Sequence, residues 1–124
     1  MVTIKKERRF NMWKMFIDDE RFPVDETFVI VRSVQEAKDK ISELGMPKYI
    51  SFDHDLGDNV PTGADLAKWI VEKDLDNNLN YIPTDFDFYV HSANPVGKKN
   101  IEGLLSQYLQ YKSTEIKQDK KIKP

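Results

Sequence analysis

Apolar positions recur along this chain in two alternating rhythms. Met15, Phe16 and Ile17 form a short run that stops abruptly at Asp18, Asp19 and Glu20, and Phe28 to Val31 form a second run rich in β-branched residues. Both predict strands. Ser33 followed by Glu36 has the spacing of a capping box, and Val34, Ala37, Ile41 and Leu44 then recur at helical intervals until Gly45, with Pro47 just beyond. That pattern predicts a helix. Tyr49 to Phe52 predict a strand ending at Asp53. After the loop from Gly57 to Pro61, Thr62 with Asp65 opens a helix carrying Leu66, Trp69 and Ile70 on one side. Phe86, Phe88 and Val90 alternate with Asp87 and Tyr89 as in a strand. Asn94 and Pro95 then suit the cap and first turn of a helix presenting Ile101, Leu104, Leu105 and Tyr108.

Strands separated by helices predict βαβ units, a mainly parallel sheet and helices on both of its faces. One link departs from the pattern. Residues 18–27 contain Pro23 and show no helical periodicity, although parallel neighbours usually need a crossover of about a dozen residues or more. The orientation of the second strand is therefore left open by the sequence.

The chain has 124 residues, enough for one domain and too few for two. Apolar residues make up 40% and charged residues 32%, so a core and a solvated surface are both available. No stretch approaches the length of a membrane span, and the N-terminus (MVTIKKERRF) lacks the apolar run of a signal peptide, so a cytoplasmic location is expected. The absence of cysteine excludes disulfides, thiolate metal sites and a thiol nucleophile. The division read from the sequence is a basic segment at 1–12, an α/β domain at 13–111 and a basic tail at 112–124. The centre is strongly acidic. Converging carboxylates there call for a cation, while the tails are either solvated ends or contacts for a polyanion.

Three predicted strands end in polar clusters: Asp18-Asp19-Glu20-Arg21, Asp53-His54-Asp55 and His91-Ser92-Ala93-Asn94. In an open α/β sheet, ligands bind beyond the carboxyl ends of the strands, so these clusters should meet. If the first and third strands are neighbours, Asp18, Asp19 and Asp53 form an oxygen cage suited to Mg²⁺ or Mn²⁺. Both histidines of the chain lie at such ends, where His54 and His91 are candidate acid–base groups and Asp55 a candidate to orient one of them. Ser92, Asn94 and the start of the last helix suit an anion such as phosphate, or are an ordinary helix cap. Arg21 either clamps a phosphate or pairs with Glu20 or Asp25. Among aromatic residues, Trp13, Phe22 and Tyr81 are the candidates to approach the pocket and stack on a base.

The segments FIDDERFP, SFDHDLG with TGADLAKWI, and VHSANPVGKKN resemble the receiver-derived family of cyclic-phosphate-processing receiver domains, over about residues 13–110. The resemblance implies a receiver-like, flavodoxin-like α/β fold. It would be a three-layer sandwich with a short, mainly parallel sheet, lacking the first helix and last strand of a full receiver. It makes Asp18 and Asp19 metal ligands, Asp53 the counterpart of the phosphoacceptor aspartate, and Ser92 the counterpart of the switch hydroxyl. A bacterial or bacteriophage setting is implied as well, hence a host cytoplasm if phage-encoded. The chain departs from a signalling receiver in ending before the strand that carries the phosphate-contacting lysine. The expectation is a phosphoesterase that processes cyclic phosphates on RNA ends or nucleotides. Its catalytic residues would be Asp53, His54, Asp55 and His91, its substrate-binding residues Arg21, Ser92 and Asn94, and its metal ligands Asp18, Asp19 and Asp53. The partner expected is a phosphate-containing small molecule or an RNA end, with no membrane. Two other readings stand beside it: a non-catalytic module that binds a cyclic nucleotide or phosphorylated partner, and a residual receiver phosphorylated on Asp53.

Overall fold

A computed structural model of the chain describes residues 12–122. In chain order the elements are β1 (Lys14–Ile17), β2 (Val29–Val31), α1 (Val34–Leu44), β3 (Tyr49–Phe52), α2 (Gly63–Asp76), β4 (Asp87–Val90) and α3 (Pro95–Ile122). The apolar runs became strands and the periodic segments helices. Ser33 Oγ accepts from the Glu36 N–H at the start of α1, and Thr62 with Asp65 closes a reciprocal capping box on α2. The structure thus has the receiver-like α/β fold expected of it.

The four strands are hydrogen-bonded in the order β2-β1-β3-β4, every pair parallel. The orientation that the sequence left open is settled: Phe16 lies beside Ile30, and Ile17 beside Val31. Side chains, not a helix, hold the link between β1 and β2. Arg32 Nη1 donates to the carbonyls of Asp18 (2.9 Å) and Arg21 (2.6 Å), and Asp25 accepts from Lys14 Nζ and from the Thr27 N–H. These contacts let residues 18–28 return to a parallel neighbour in a span shorter than a helical crossover.

Register sorts the strand side chains into two sets. Met15, Ile17, Val31, Ile50, Phe52 and Val90 share one buried cluster with Val34, Ala37 and Ile41 of α1, Leu66, Ala67 and Ile70 of α2, and Ile101, Leu105 and Tyr108 of α3. The described helices therefore pack on one face of the sheet. Handedness explains the placement of these described helices on one side. From β2 through β3 to β4 the chain always moves in the same direction across the sheet, and right-handed crossovers in one direction place their helices on one side. The β1-to-β2 link runs the other way and contains no helix. The opposite face presents Phe16, Ile30, Tyr49, Ser51 and Tyr89.

The segment read as a tail from residue 112 differs from that reading. α3 continues unbroken to Ile122, and Lys112 is buried, its ammonium donating to Asp74 Oδ1 (3.1 Å) and the Ile82 carbonyl (2.6 Å). The basic segment predicted at 1–12 falls almost wholly outside the described residues. Among the described residues, no helix is long and apolar enough to cross a membrane.

Candidate functional site

The carboxyl ends of β1, β3 and β4 meet at one rim, as their adjacency requires. Asp18 continues β1, Asp53 continues β3 and His91 continues β4, each on the side of the sheet opposite the helices. One ligand atom from each of the three lies within 4.8 Å of the others. His91 Nε2 is 2.9 Å from Asp18 Oδ2, and His91 Nδ1 is 2.8 Å from Ser51 Oγ. The imidazole lies flat against Phe16, ring centroids 4.5 Å apart and planes 1° from parallel. Nε2–H donates to the Asp18 carboxylate, and Nδ1 accepts from the Ser51 hydroxyl in the neutral ring or donates to its oxygen in the imidazolium.

Asp18 is fully buried. Burial alone would raise its pKa. The N–H groups of Arg21 and Glu20, the His91 ring and the Arg21 guanidinium outweigh that effect and hold the carboxyl below its usual value. Arg21 is the link to the second carboxylate: Nε donates to Asp18 Oδ2 at 2.8 Å and Nη2 lies 3.4 Å from Asp53 Oδ1. Its partners are thus Asp18 and Asp53, where the sequence had suggested Glu20 or Asp25. The two carboxylates raise the guanidinium pKa further, against the desolvation that would lower it. The cation demanded by converging acids is in part supplied by the chain itself.

The predicted site residues divide into two groups. Asp18, Arg21, Asp53 and His91 are in mutual contact. Asp19 is exposed and stands outside the cluster that could hold a metal, in which His91 takes the third place. Two carboxylates and an imidazole are donors for a divalent cation of the Mn²⁺ kind, while the all-oxygen preference of Mg²⁺ fits the two carboxylates alone. His54 also stands apart. Its Nδ1 pairs with Asp55 Oδ1 at 2.9 Å, Asp55 Oδ2 accepts from Asn94 Nδ2 at 3.1 Å, and the ring packs against the backbone of Gly97 in the first turn of α3. A Cβ at Gly97 would run into that ring, and one at Gly63 into the Asp53 carbonyl, so both helices approach the rim through glycines. Asn94 caps α3, its Oδ1 accepting from the Gly97 N–H, and Ser92 Oγ accepts from the Asn94 N–H. Asp55 Oδ1 holds His54 in place, and the bonds from the His54 ring, the larger cause, and from the Asn94 amide lower the Asp55 pKa.

Between these groups opens a cleft of about 540 Å³, within the range of small-molecule sites, lined by Asp19, Arg21, Asp53, Asp55, Ser92 and Asn94 among others. Sequence reasoning missed Ser51, the partner of His91. Its signal was a lone hydroxyl within an apolar strand, in register with Phe16.

A parallel sheet in this order, with acids beyond β1 and β3 and a polar loop beyond β4, defines a receiver-like domain. Over residues 13–107 the chain matches the family described as the cyclic-phosphate processing receiver domain, and it belongs to that family. No match is found among curated proteins or among solved structures.

Proposed function

We propose that the rim cleft hydrolyses cyclic phosphodiesters, opening the ring to a linear phosphomonoester. The observation that carries this reading is the convergence of Asp18, Arg21, Asp53 and His91 from separate strand ends and one loop into one cluster, of which Arg21 and Asp53 line a cleft of ligand size. Family membership supports the cyclic-phosphate part of it.

The balance of the reaction is simple. Water adds to phosphorus, one ring P–O bond breaks, and the departing oxygen takes a proton. Arg21, whose side chain is half exposed, has guanidinium N–H groups beyond those given to Asp18 and Asp53, and these face phosphoryl oxygens as charge builds on them. His91 acts as the imidazolium: Nδ1–H donates to Ser51 Oγ, and the Nε2 proton passes from beside Asp18 to the leaving oxygen, leaving a neutral ring that is reprotonated from solvent. Asp18 stays ionised and orients Nε2, while Ser51 fixes the ring from behind. Asp53 takes the proton of the attacking water and passes it to solvent. His54, locked between Asp55 and Gly97, shapes the loop and stands back from proton transfer. A divalent cation, where bound beside a protonated His91, would be held by Asp18 and Asp53 and would supply further charge stabilisation at the phosphoryl group.

One feature favours the second reading, a binding module without turnover: both ring nitrogens of His91 are engaged and Arg21 already bridges the two aspartates. Incubation of the protein at substoichiometric concentration with a set of cyclic-phosphate nucleotides and cyclic-phosphate-ended oligonucleotides, with and without EDTA, separates the two. Catalysis gives many linear monophosphates per protein molecule. A binding module returns its ligand unchanged.

A further inference from the structure

We infer that Arg32, which does not line the rim cleft, is a positioning residue of the site: it fixes the turn from Asp18 to Arg21 and, through that turn, the Arg21 guanidinium. The inference rests on the proposed phosphoester chemistry for the turnover it affects, while the geometry of Arg32 stands without it.

The head of a long side chain is only as well placed as the backbone it leaves. Arg21 holds Asp18 and Asp53 at once, and a group that meets a reacting phosphoryl oxygen must be held to within about half an ångström. Its backbone is tied from two sides. From the inside, Asp18 Oδ1 accepts the N–H of Glu20 at 2.9 Å and that of Arg21 at 2.8 Å, winding the segment into a turn around the carboxylate. From the outside, Arg32 Nη1 donates to the Asp18 carbonyl at 2.9 Å and to the Arg21 carbonyl at 2.6 Å. The two hydrogens of one nitrogen thus close the turn across its ends. With its N–H given to Asp18 and its carbonyl taken by Arg32, Arg21 starts its side chain from a fixed Cα.

Arg32 is itself anchored. The Asp18 N–H donates to the Val31 carbonyl at 3.2 Å, so the β1–β2 ladder runs on to the residue before Arg32. The Arg32 N–H donates to Glu36 Oε1 at 2.7 Å, in the first turn of α1. The guanidinium lies over the Phe22 ring, 4.7 Å from its centroid. Phe22, one of the aromatic residues offered by the sequence for base stacking, is occupied in this way. The other two are elsewhere: Trp13 Nε1 donates to the Gly45 carbonyl, and Tyr81 packs edge-on against Trp69.

Among the described residues Arg32 forms no ion pair, although it grips the turn that carries Asp18, Asp19 and Glu20. Its hydrogen bonds go to two neutral carbonyls, both on the segment that bears Arg21. Phe22 is 74% exposed, so these contacts cover little apolar surface. The rest of the β1–β2 link is fastened separately, by Asp25 to Lys14 and Thr27. A cation committed to one turn and to almost no core serves the precision of the site more than the stability of the fold.

The test is a double-mutant cycle on turnover of a nucleoside 2′,3′-cyclic phosphate, with Arg32→Met, Arg21→Gln and the double variant. Arg32→Met keeps a long stem over Phe22 and removes the donors. It is expected to lower kcat/KM about tenfold, with the urea midpoint nearly unchanged. In the Arg21→Gln background the same change should cost less than about twofold more. Losses that multiply in the double variant, an unchanged kcat/KM in Arg32→Met, or a loss matched by a fallen urea midpoint overturn the positioning role. Arg32→Lys, whose ammonium also offers several hydrogens from one nitrogen, should recover about threefold or more of the loss. No recovery overturns the role given to the two carbonyl bonds. A second readout needs no substrate: by ¹⁵N NMR, the Arg21 Nε–H bonded to Asp18 should exchange with water about tenfold faster in Arg32→Met. Equal exchange in the two proteins overturns the inference. Absence of turnover in the unaltered protein would count against the rim chemistry and leave the exchange rates to decide for Arg32.

Discussion

Among the described residues two aspartates are fully buried, and they are built alike. Asp18 at the rim accepts two backbone N–H groups (Glu20 and Arg21), one cation (Arg21) and one ring group (His91). Asp74, in the last turn of α2, accepts two backbone N–H groups (Tyr81 and Ile82), one cation (Lys112) and one ring group, the Tyr108 hydroxyl at 2.6 Å. In both, burial pushes the carboxyl pKa up and the hydrogen bonds and cation more than reverse it. The difference lies in what the cation does next. Lys112 is 4% exposed and gives its other bond to the Ile82 carbonyl, so that cluster is closed and ties α3 to the loop before β4. The Arg21 side chain is 49% exposed, reaches a second carboxylate and fronts a cleft. The same arrangement is architecture when sealed and a site when left open.

The largest expected effect breaks the closed cluster. Asp74→Ala strands the Lys112 ammonium in the interior and orphans two N–H groups, and should lower unfolding free energy in urea by about 3 to 5 kcal/mol. A loss under about 1 kcal/mol would show that Asp74 is no structural keystone. At the open cluster the effect should fall on chemistry instead. His91→Ala is expected to lower turnover of a cyclic phosphate by about 10² or more, the worth of one positioned proton-transfer group, and His54→Ala by less than about tenfold. Equal losses would restore a two-histidine mechanism. Smaller again, Arg21→Gln should weaken phosphate-ligand binding about tenfold while changing stability by no more than about 1 kcal/mol, because the guanidinium is half in solvent. A stability loss as large as that of Asp74→Ala would erase the distinction between the clusters.

The smallest effect is on pH dependence, and its sign follows from the depressed carboxyls. Asp18 and Asp74 both have folded-state pKa values below the ordinary 3.8, so the stability they provide is fully present above about that pH. It is lost as pH falls through their lowered values. Urea midpoints should therefore hold through mildly acidic pH and drop below about pH 4, with Asp74→Asn flattening that drop. A midpoint that rises on acidification would reverse the linkage.

Much of the rim was legible because its parts obey local rules. Apolar runs ending at Asp18, Asp53 and His91 mark strand ends, and strand ends in parallel sheets converge. The caps at Ser33, Thr62 and Asn94 were equally plain, since capping depends on neighbours in sequence. What stayed hidden depends on partners distant along the chain. Arg21 is long enough to choose among several carboxylates, and only the tertiary fold sets that choice. Asp74 falls four residues after Ile70 and Lys112 four after Tyr108, so each continues an apolar stripe with a charge. Those positions hinted at burial, but their pairing needs two helices side by side. The one-sided layer follows from strand order and handedness together, and the sequence left the placement of β2 open.

Hydrolysis at the rim is tested most directly by the fate of the oxygen of water. A nucleoside 2′,3′-cyclic phosphate is incubated with the protein in ¹⁸O-labelled water and the products are weighed by mass spectrometry. A linear monophosphate carrying one heavy oxygen on phosphorus, formed over many turnovers and lost in His91→Ala, is the predicted result. Recovery of the unlabelled cyclic compound intact would contradict it.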